Sequence, residues 1–142
     1  MALKKMTSSL NRAPAPVVDA KVAAYCRDLD RWPRSWMGLE EDVWPGEQIV
    51  VCLLPFLHHL VSSSLSPRTI RRHVDNLWLL GGEIIRDLHN DPALRKLSAD
   101  RLLPNAIHEG GGPLIYNGSE DQQRSFDSTC RKLLRFLNQA ST

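Results

Sequence analysis

The clearest pattern in the chain runs from Ser66 to Leu88, where apolar residues recur at steps of three and four. Ser66 offers an N-cap hydroxyl, and Pro67 follows at the first helical position, where its missing N–H costs nothing. The residues that share one helical face are Ile70, Val74, Leu77, Gly81, Ile84 and Leu88. The opposite face is rich in arginine. The segment therefore predicts an amphipathic helix against which the other helices pack.

Gly81 falls inside this apolar stripe, where the lack of a side chain lets another helix approach closely. Its neighbour Gly82 allows a second interpretation, in which the pair breaks the segment into two helices. Each glycine costs about 1 kcal/mol relative to alanine in a helix interior. Because the stripe keeps its phase across the pair, we expect a helix that is continuous or merely kinked.

The same spacing predicts three more helices, and turn residues separate them. The four main predicted helices run from Pro16 to about Arg31, from Gly46 to about Ser62, from Ser66 to Leu88, and from a capping box at Ser119 and Gln122 towards the C-terminus. Pro33 is expected to end the first helix, and Pro55 to lie on the solvent side of the second. Short helices are expected from Pro92 and from Ser98 to Leu103.

These elements predict an all-α fold, a single-domain bundle of four main helices with short helices before the last one. Residues 1–15 lack periodicity and end in an alternating Ala-Pro run, so we expect a flexible N-terminal arm followed by a helical domain over residues 16–140. A chain of 142 residues is long enough to bury a sizeable core.

Composition adds few constraints on function. A hydrophobic content of 42% and a charged content of 24% are ordinary for a globular protein. The net charge of +2 is too small to require a nucleic-acid partner, so any such case depends on where the charges lie. The N-terminus has no signal-peptide pattern, and no apolar run approaches the roughly 20 residues needed to span a bilayer. We therefore expect a cytoplasmic protein without a membrane partner.

The sequence offers no catalytic or metal-binding constellation. Cys26, Cys52 and Cys130 are far apart, so we expect reduced, buried thiols and neither a zinc site nor a disulfide framework. His58 and His59 are adjacent, and neighbours on a helix face different directions. The glycine run in IHEGGGPLIYNG lacks the lysine and the flanking strand of a phosphate-binding loop. We expect no cofactor, no metal, no catalytic residue and no enzymatic activity.

Two helices carry basic stripes that could contact DNA phosphates. The candidate DNA-binding residues are Arg68, Thr69, Arg71, Arg72, Arg124, Arg131, Lys132 and Arg135. Hydroxyl and guanidinium groups at the N-terminus of a helix suit phosphate contacts, which bind tightly at low salt and discriminate weakly between sequences. The alternative interpretation is a solvated helix face without a ligand.

A second candidate surface combines tryptophans with acidic residues. Its residues are Trp36, Glu40, Glu41, Asp42, Trp44 and Leu79. Tryptophan is enriched at interface hot spots, so this stretch could bind a partner protein; alternatively, its tryptophans fold back onto the core of the bundle. Leu79 lies on the arginine side of its helix, where a polar residue is expected, and with Trp78 it suggests a homo-oligomer contact.

The run FLHHLVSSSLSPRTIRRHVDNLWLLGGEII resembles the middle of the core-binding domain of phage-type tyrosine recombinases. The matching residues are Phe56, Leu57, Leu60, Leu65, Ser66, Thr69, Ile70, Arg72 and Leu77. The resemblance implies a DNA-clamping helical module, and the catalytic half of those enzymes has no counterpart here. WLLGGEIIRDL, GGPLIY and SFDSTCRKLLRFL resemble segments of small bacterial proteins that accompany mobile elements, a likeness that implies no activity.

Two functions follow as hypotheses. The first is a non-catalytic, DNA-associating accessory protein like a recombinase core-binding module. The second is a protein-interaction module from a mobile element, acting as an adaptor, an antitoxin-like partner or an inhibitor.

Overall fold

The computed structural model describes residues 18–140, which form an all-α fold as the sequence predicts. The α-helices are α1 (Ala20–Tyr25), α2 (Trp32–Trp36), α3 (Val43–Val61), α4 (Pro67–Asn90), α5 (Ala99–Ala106) and α6 (Glu120–Ala140). Short 3₁₀ helices cover Leu29–Arg31, Glu40–Asp42 and Pro92–Lys96. Within these residues the nearest thing to a strand is an isolated bridge between His108 and Gly111. The expected arm over residues 1–15 lies outside the described residues.

The long helices α3, α4 and α6 form the bundle, and their directions decide which residues meet. The short link 62–66 turns the chain back, so α4 runs antiparallel to α3 and packs against it. Helix α6 runs antiparallel to α4, since His73 meets Thr129 and Arg86 meets Tyr116 near the start of α6. One end of the bundle therefore holds the end of α3, the start of α4 and the end of α6.

The predicted first main helix is wrong, because the chain breaks there into short pieces. Helix α1 is capped by Asp19, whose carboxylate accepts a hydrogen bond from the Lys21 N–H at 2.7 Å. It ends at Tyr25, because the backbone of the next residue, Cys26, leaves the helical region (φ −129°, ψ 63°). Pro33 does not terminate a helix; it lies in the first turn of α2, where a proline needs no N–H partner. The four expected main helices thus become three long ones with shorter helices around them.

Helix α4 is continuous through both glycines, which confirms the expected unbroken helix. Gly81 is the site of a close approach, although the approaching group is an indole and not a long helix. A Cβ at Gly81 would lie 2.2 Å from Trp36 Cζ2, and Trp36 Nε1 donates to the Trp78 carbonyl at 2.9 Å. The glycine therefore fixes where α2 packs on α4.

Several local predictions are confirmed with small changes in bounds. Helix α3 begins three residues before the predicted start, and Pro55 lies exposed within it. The capping box at the start of α6 is present: Gln122 N–H donates to Ser119 Oγ at 3.1 Å and Ser119 N–H donates to Gln122 Oε1 at 2.9 Å. Helix α5 continues past the predicted end at Leu103 to Ala106.

The glycine run forms a tight corner held against α6. Gly111 has φ +139°, a conformation that L side chains rarely adopt, and a Cβ there would lie 2.4 Å from Asp127 Cγ. Gly112 N–H donates to Asp127 Oδ1 at 3.0 Å. The glycines are thus explained by packing, in agreement with the expected corner between helices.

Candidate nucleic-acid interface

The acidic residues of the chain are absent from two sequence segments that the fold brings together. Residues 48–74 and 128–142 contain no Asp or Glu. Their basic residues are Arg68, Arg71, Arg72, Arg131, Lys132 and Arg135. The antiparallel packing of α4 on α6, and a contact of 5.3 Å between the rings of Phe56 and Phe136, gather these segments at one end of the bundle. The fold therefore concentrates positive charge that the net charge of +2 conceals.

Arg72 on α4 and Lys132 on α6 both lie near one buried group in the seam between these two helices. Each of them acts electrostatically on His73, which is buried between the two helices. Burial, the Arg72 guanidinium and the Lys132 ammonium together lower the pKa of His73 from 6.5 to about 4. His73 is therefore neutral at pH 7, and the positive charge of the seam resides on Arg72 and Lys132.

A buried polar network sets the register of this seam. His73 Nδ1 lies 2.7 Å from Thr129 Oγ1, and Asn76 Nδ2 donates to Thr129 Oγ1 at 2.8 Å and to Ser125 Oγ at 3.1 Å. The other acceptor near the Thr129 hydroxyl, the Ser125 carbonyl, is 3.4 Å away. The direction of the hydrogen bond between His73 and Thr129 follows the tautomer of the imidazole. Slippage of α6 along α4 would break this network, so it fixes the spacing of Arg72 and Lys132.

This network was not found from the sequence. The signal was present as polar residues on neighbouring flanks of two amphipathic helices, His73 and Asn76 on α4 and Ser125 and Thr129 on α6. Spacings of three and four place each pair on one flank. Sequence alone does not say that these two flanks meet, because the partner of a helix flank depends on the tertiary fold.

Four of the predicted DNA-binding residues belong to one surface, named here the basic end: Arg68, Arg72, Lys132 and Arg135. The first two lie in the first two turns of α4, and the last two in the C-terminal half of α6. Arg68, Arg72 and Arg135 are exposed and Lys132 is half-buried. Thr69 lies beside them with its hydroxyl already accepting from Ser66 Oγ at 3.0 Å.

Two further predicted residues are turned to the flanks of this end. The Arg71 guanidinium lies 5.4 Å from the centre of the Tyr25 ring on α1. Asp75, one turn later, lies on the same flank. Burial and the nearby Asp28 carboxylate raise its pKa. Arg131 donates to the Gly110 carbonyl at 3.2 Å, on the side of the glycine corner. The predicted set is therefore divided among separate faces.

Arg124 does not belong to the basic end. It pairs with Asp121 in the first turns of α6, and its Cα lies about 16 Å along the helix from that of Arg135. Arg124 is thus separated along the helix from Lys132 and Arg135, with which it was predicted to extend one patch, because residues on one helical stripe lie at different heights.

The predicted partner surface also loses members to the core. Trp36 is buried with 9% of its surface exposed, and Asp42 is completely buried, so neither is available to an external partner. Leu79 is half-buried and packs against the core, which corrects its predicted place on the surface. The predicted homo-oligomer contact through Trp78 and Leu79 therefore reduces to Trp78, whose Nε1 donates to Ser35 Oγ at 2.9 Å.

Asp42 is the centre of a latch that joins the connector between α2 and α3, residues 37–42, to the end of α4. Its Oδ2 accepts from Gly38 N–H at 2.8 Å and from Leu39 N–H at 2.9 Å, and contacts His89 Nε2 at 2.7 Å. Arg95 donates to the other oxygen at 2.7 Å. Burial alone would raise the pKa of this carboxyl, but the hydrogen bonds from Arg95, from the connector backbone and from His89 outweigh it and hold the pKa well below 3.8.

The histidines and cysteines of residues 18–140 lie in separate parts of the fold. The structure contains no cluster of three or more His, Cys, Asp or Glu side chains that could hold a metal ion in that part of the chain. His58 lies 3.9 Å from Asp19, whereas the adjacent His59 ring lies 4.9 Å from that of Phe136. The expectations of no metal, no cofactor and no enzymatic activity stay predictions.

Comparison with known proteins adds no family. No protein-family model, curated protein or solved structure matches the chain. The likenesses to recombinase core-binding domains and to mobile-element proteins therefore stay predictions. No helix among residues 18–140 combines the length and the hydropathy needed to cross a bilayer.

Proposed function

We propose that the protein associates with DNA without catalysis, through phosphate contacts made by the basic end. The supporting observation is that α4 and α6 bring together two acid-free segments and present Arg68, Arg72, Lys132 and Arg135 on one end of the bundle. Clustered cations of this kind attract the phosphate backbone irrespective of base sequence.

The N-terminus of α4 adds to the positive potential of the basic end. Ser66 accepts the Thr69 N–H at 3.2 Å, and the remaining first-turn N–H groups give this helix end a partial positive charge. The segment that resembles recombinase core-binding domains, residues 56–85, contributes Arg68 and Arg72, which agrees with a DNA-facing role for this end.

The four basic side chains of the basic end allow about four phosphate contacts, which determine the expected affinity for DNA and its dependence on salt. Neutralising four phosphates predicts a slope of log K against log salt of about −3.6 on double-stranded DNA. Such binding is weak at physiological salt and has little sequence preference. An accessory protein that clamps DNA beside a more specific partner fits these properties.

Fluorescence anisotropy with a labelled duplex of arbitrary sequence, measured over a series of salt concentrations, tests the proposal. The Arg72→Ala, Lys132→Ala double variant is expected to bind at least tenfold more weakly at low salt, with the slope reduced by about two. The matched control is Lys96→Ala, Arg124→Ala, which removes the same charge from exposed positions outside the basic end. That control is expected to bind like the parent protein, provided that both double variants unfold near the parent temperature.

Two results would overturn the proposal. Equal weakening by both double variants would mean that only the total charge matters. Unchanged binding by the Arg72→Ala, Lys132→Ala variant would remove the basic end from the contact.

A further inference from the structure

The connector before α3 and the first turn of that helix expose apolar side chains at the opposite end of α3 from the basic end. Met37, Leu39 and Trp44 are 38%, 49% and 57% exposed. The 3₁₀ helix between them rises about 2 Å per residue, so the Cα atoms of Leu39 and Trp44 lie within about 10 Å of each other. These three residues, with the exposed Glu40 and Glu41, are named here the connector patch.

The connector patch is ordered before any partner arrives. The buried Asp42 holds the backbone N–H groups of Gly38 and Leu39 while it is itself fixed by Arg95. Helix α3 begins at the next residue, Val43. A preformed surface avoids most of the entropy cost of ordering a loop on binding. The latch therefore places three apolar side chains at low cost to association.

The charge of the patch selects the kind of partner. Glu40 and Glu41 are exposed within it, and Glu47 follows one turn into α3. Glu40 meets Arg34 at 3.6 Å, and both side chains are more than half exposed, so the guanidinium charge counts beside those of Glu40 and Glu41. The patch is about 20 Å along α3 from the basic end. Two carboxylates beside one guanidinium leave the patch acidic, which favours a cationic apolar surface over nucleic acid.

We propose that the connector patch binds an amphipathic helix of a partner protein whose apolar stripe is flanked by lysine and arginine. Trp44 supplies the large apolar contact that commonly dominates such interfaces, and Glu40 and Glu41 pair with the flanking cations. This surface is separate from the proposed DNA contact and does not depend on it.

A folded second copy of the chain is a poor occupant. The apolar stripes of the long amphipathic helices α4 and α6 are buried in the core, including Leu77, Ile84, Phe126 and Leu133. The basic end of a second copy could offer charge, but the described part of the chain has no free amphipathic helix to cover Trp44. The occupant is therefore a helix from another protein.

The test uses a synthetic 14-residue peptide with leucine at helical spacing and lysine elsewhere, titrated by calorimetry against the full chain. Trp44→Ala and Glu41→Lys are each expected to weaken binding of this peptide at least tenfold. The matched controls are Leu114→Ala, which removes a side chain that is 83% exposed on another loop, and Glu109→Lys, which reverses an exposed acid elsewhere. Both controls are expected to bind like the parent.

Three outcomes would overturn the proposal. In the first, a connector variant and its control lose the same affinity for the peptide. In the second, a peptide with glutamate in place of lysine binds equally well. In the third, the protein forms a dimer without peptide, and Trp44→Ala abolishes that dimer. The last would assign the patch to a second copy. Since Trp44→Ala changes no charge and leaves Arg72 and Lys132 intact, its DNA affinity is expected to stay at the parent value, which separates this test from that of the basic end.

Discussion

The indole of Trp36 lies directly on the backbone of α4 at Gly81, so closely that a single methyl group there would overlap the ring. A Cβ built on Gly81 falls 2.2 Å from Trp36 Cζ2, whereas one built on Gly82 falls 3.3 Å from Trp36 Cδ1. This contact attaches α2, and the connector that follows it, to the central helix.

Gly81→Ala is expected to destabilise the protein although alanine is the better helix former. The overlap with Trp36 costs about 1–3 kcal/mol as overpacking, more than the roughly 1 kcal/mol that alanine gains in propensity. The matched substitution Gly82→Ala meets a contact that a few tenths of an ångström relieve, and its unfolding free energy is expected within about 1 kcal/mol of the parent. Urea denaturation measures both; similar effects at the two sites would contradict the close-contact explanation.

Asp42→Asn is expected to lower the free energy of unfolding by roughly 3 kcal/mol. An asparagine has one acceptor oxygen, so its amide N–H₂ must face either the Arg95 guanidinium or the two connector N–H groups. The control Glu41→Gln removes a negative charge from the exposed neighbour and is expected to change stability little. Chemical denaturation at pH 7 compares them.

The same carboxylate makes the fold sensitive to acid. Because the pKa of Asp42 is lowered in the folded protein, its contribution is fully present above the unfolded value of 3.8 and is lost as the pH falls through the lower folded value. The parent is therefore expected to lose stability more steeply than Asp42→Asn below about pH 4. If the free energies of unfolding of the two proteins fell in parallel below about pH 4, the Asp42 carboxylate would not be stabilising the fold as described.

The long helices were predictable because each repeats its apolar spacing over four or more turns. Gly81 illustrates both the success and its limit: its position in the stripe predicts a close approach by another helix, but the neighbour is the side chain of Trp36, which the sequence left between a partner surface and the core. Helices α1 and α2 have two turns or fewer, too few positions for a period to be distinguished from chance. For this reason one long helix was predicted where the structure has two short ones.

The sequence reveals which charged residues the candidate sites contain, but it does not reveal which of them lie together in the fold. The arginines of α4 and α6 are visible in sequence, yet Arg71 turns to Tyr25 and Arg124 to Asp121. Asp42 resembled its exposed neighbours Glu40 and Glu41, because its partners are about 50 residues away in the chain. Long-range pairing of polar groups has no periodic signature, so the tertiary contacts had to be seen.

Thiol reactivity provides a separate test of the packing. Burial raises the pKa of Cys26 and of Cys130 to about 12, with nearby carboxylates adding to the effect, so the nucleophilic thiolate is scarce at pH 8. Burial and the Asp100 carboxylate raise the pKa of Cys52 as well, but this thiol is only half-buried, so the reagent can reach it. A chromogenic disulfide reagent is therefore expected to modify Cys52 first, and the other two only on addition of denaturant. In Cys52→Ser the native protein is expected to react slowly throughout; a fast thiol remaining in that variant would place Cys26 or Cys130 outside the core.

The seam between α4 and α6 predicts a second pH dependence, at milder acidity than that of Asp42. His73 has a pKa of 6.5 when unfolded and about 4 when buried beside Arg72 and Lys132, so between these values the unfolded chain binds more protons. Stability is then fully present above pH 6.5, falls by up to about 1.4 kcal/mol per pH unit towards pH 4, and levels off below. In His73→Gln, whose amide can still hydrogen-bond the Thr129 hydroxyl, the free energy of unfolding is expected to depend less steeply on pH over this range. In the control His59→Gln, at an exposed position on α3, it is expected to follow the slope of the parent protein. Urea denaturation at half-unit steps from pH 7 to 4 decides between them, and an unchanged slope in His73→Gln would show that the imidazole is not held neutral at the seam.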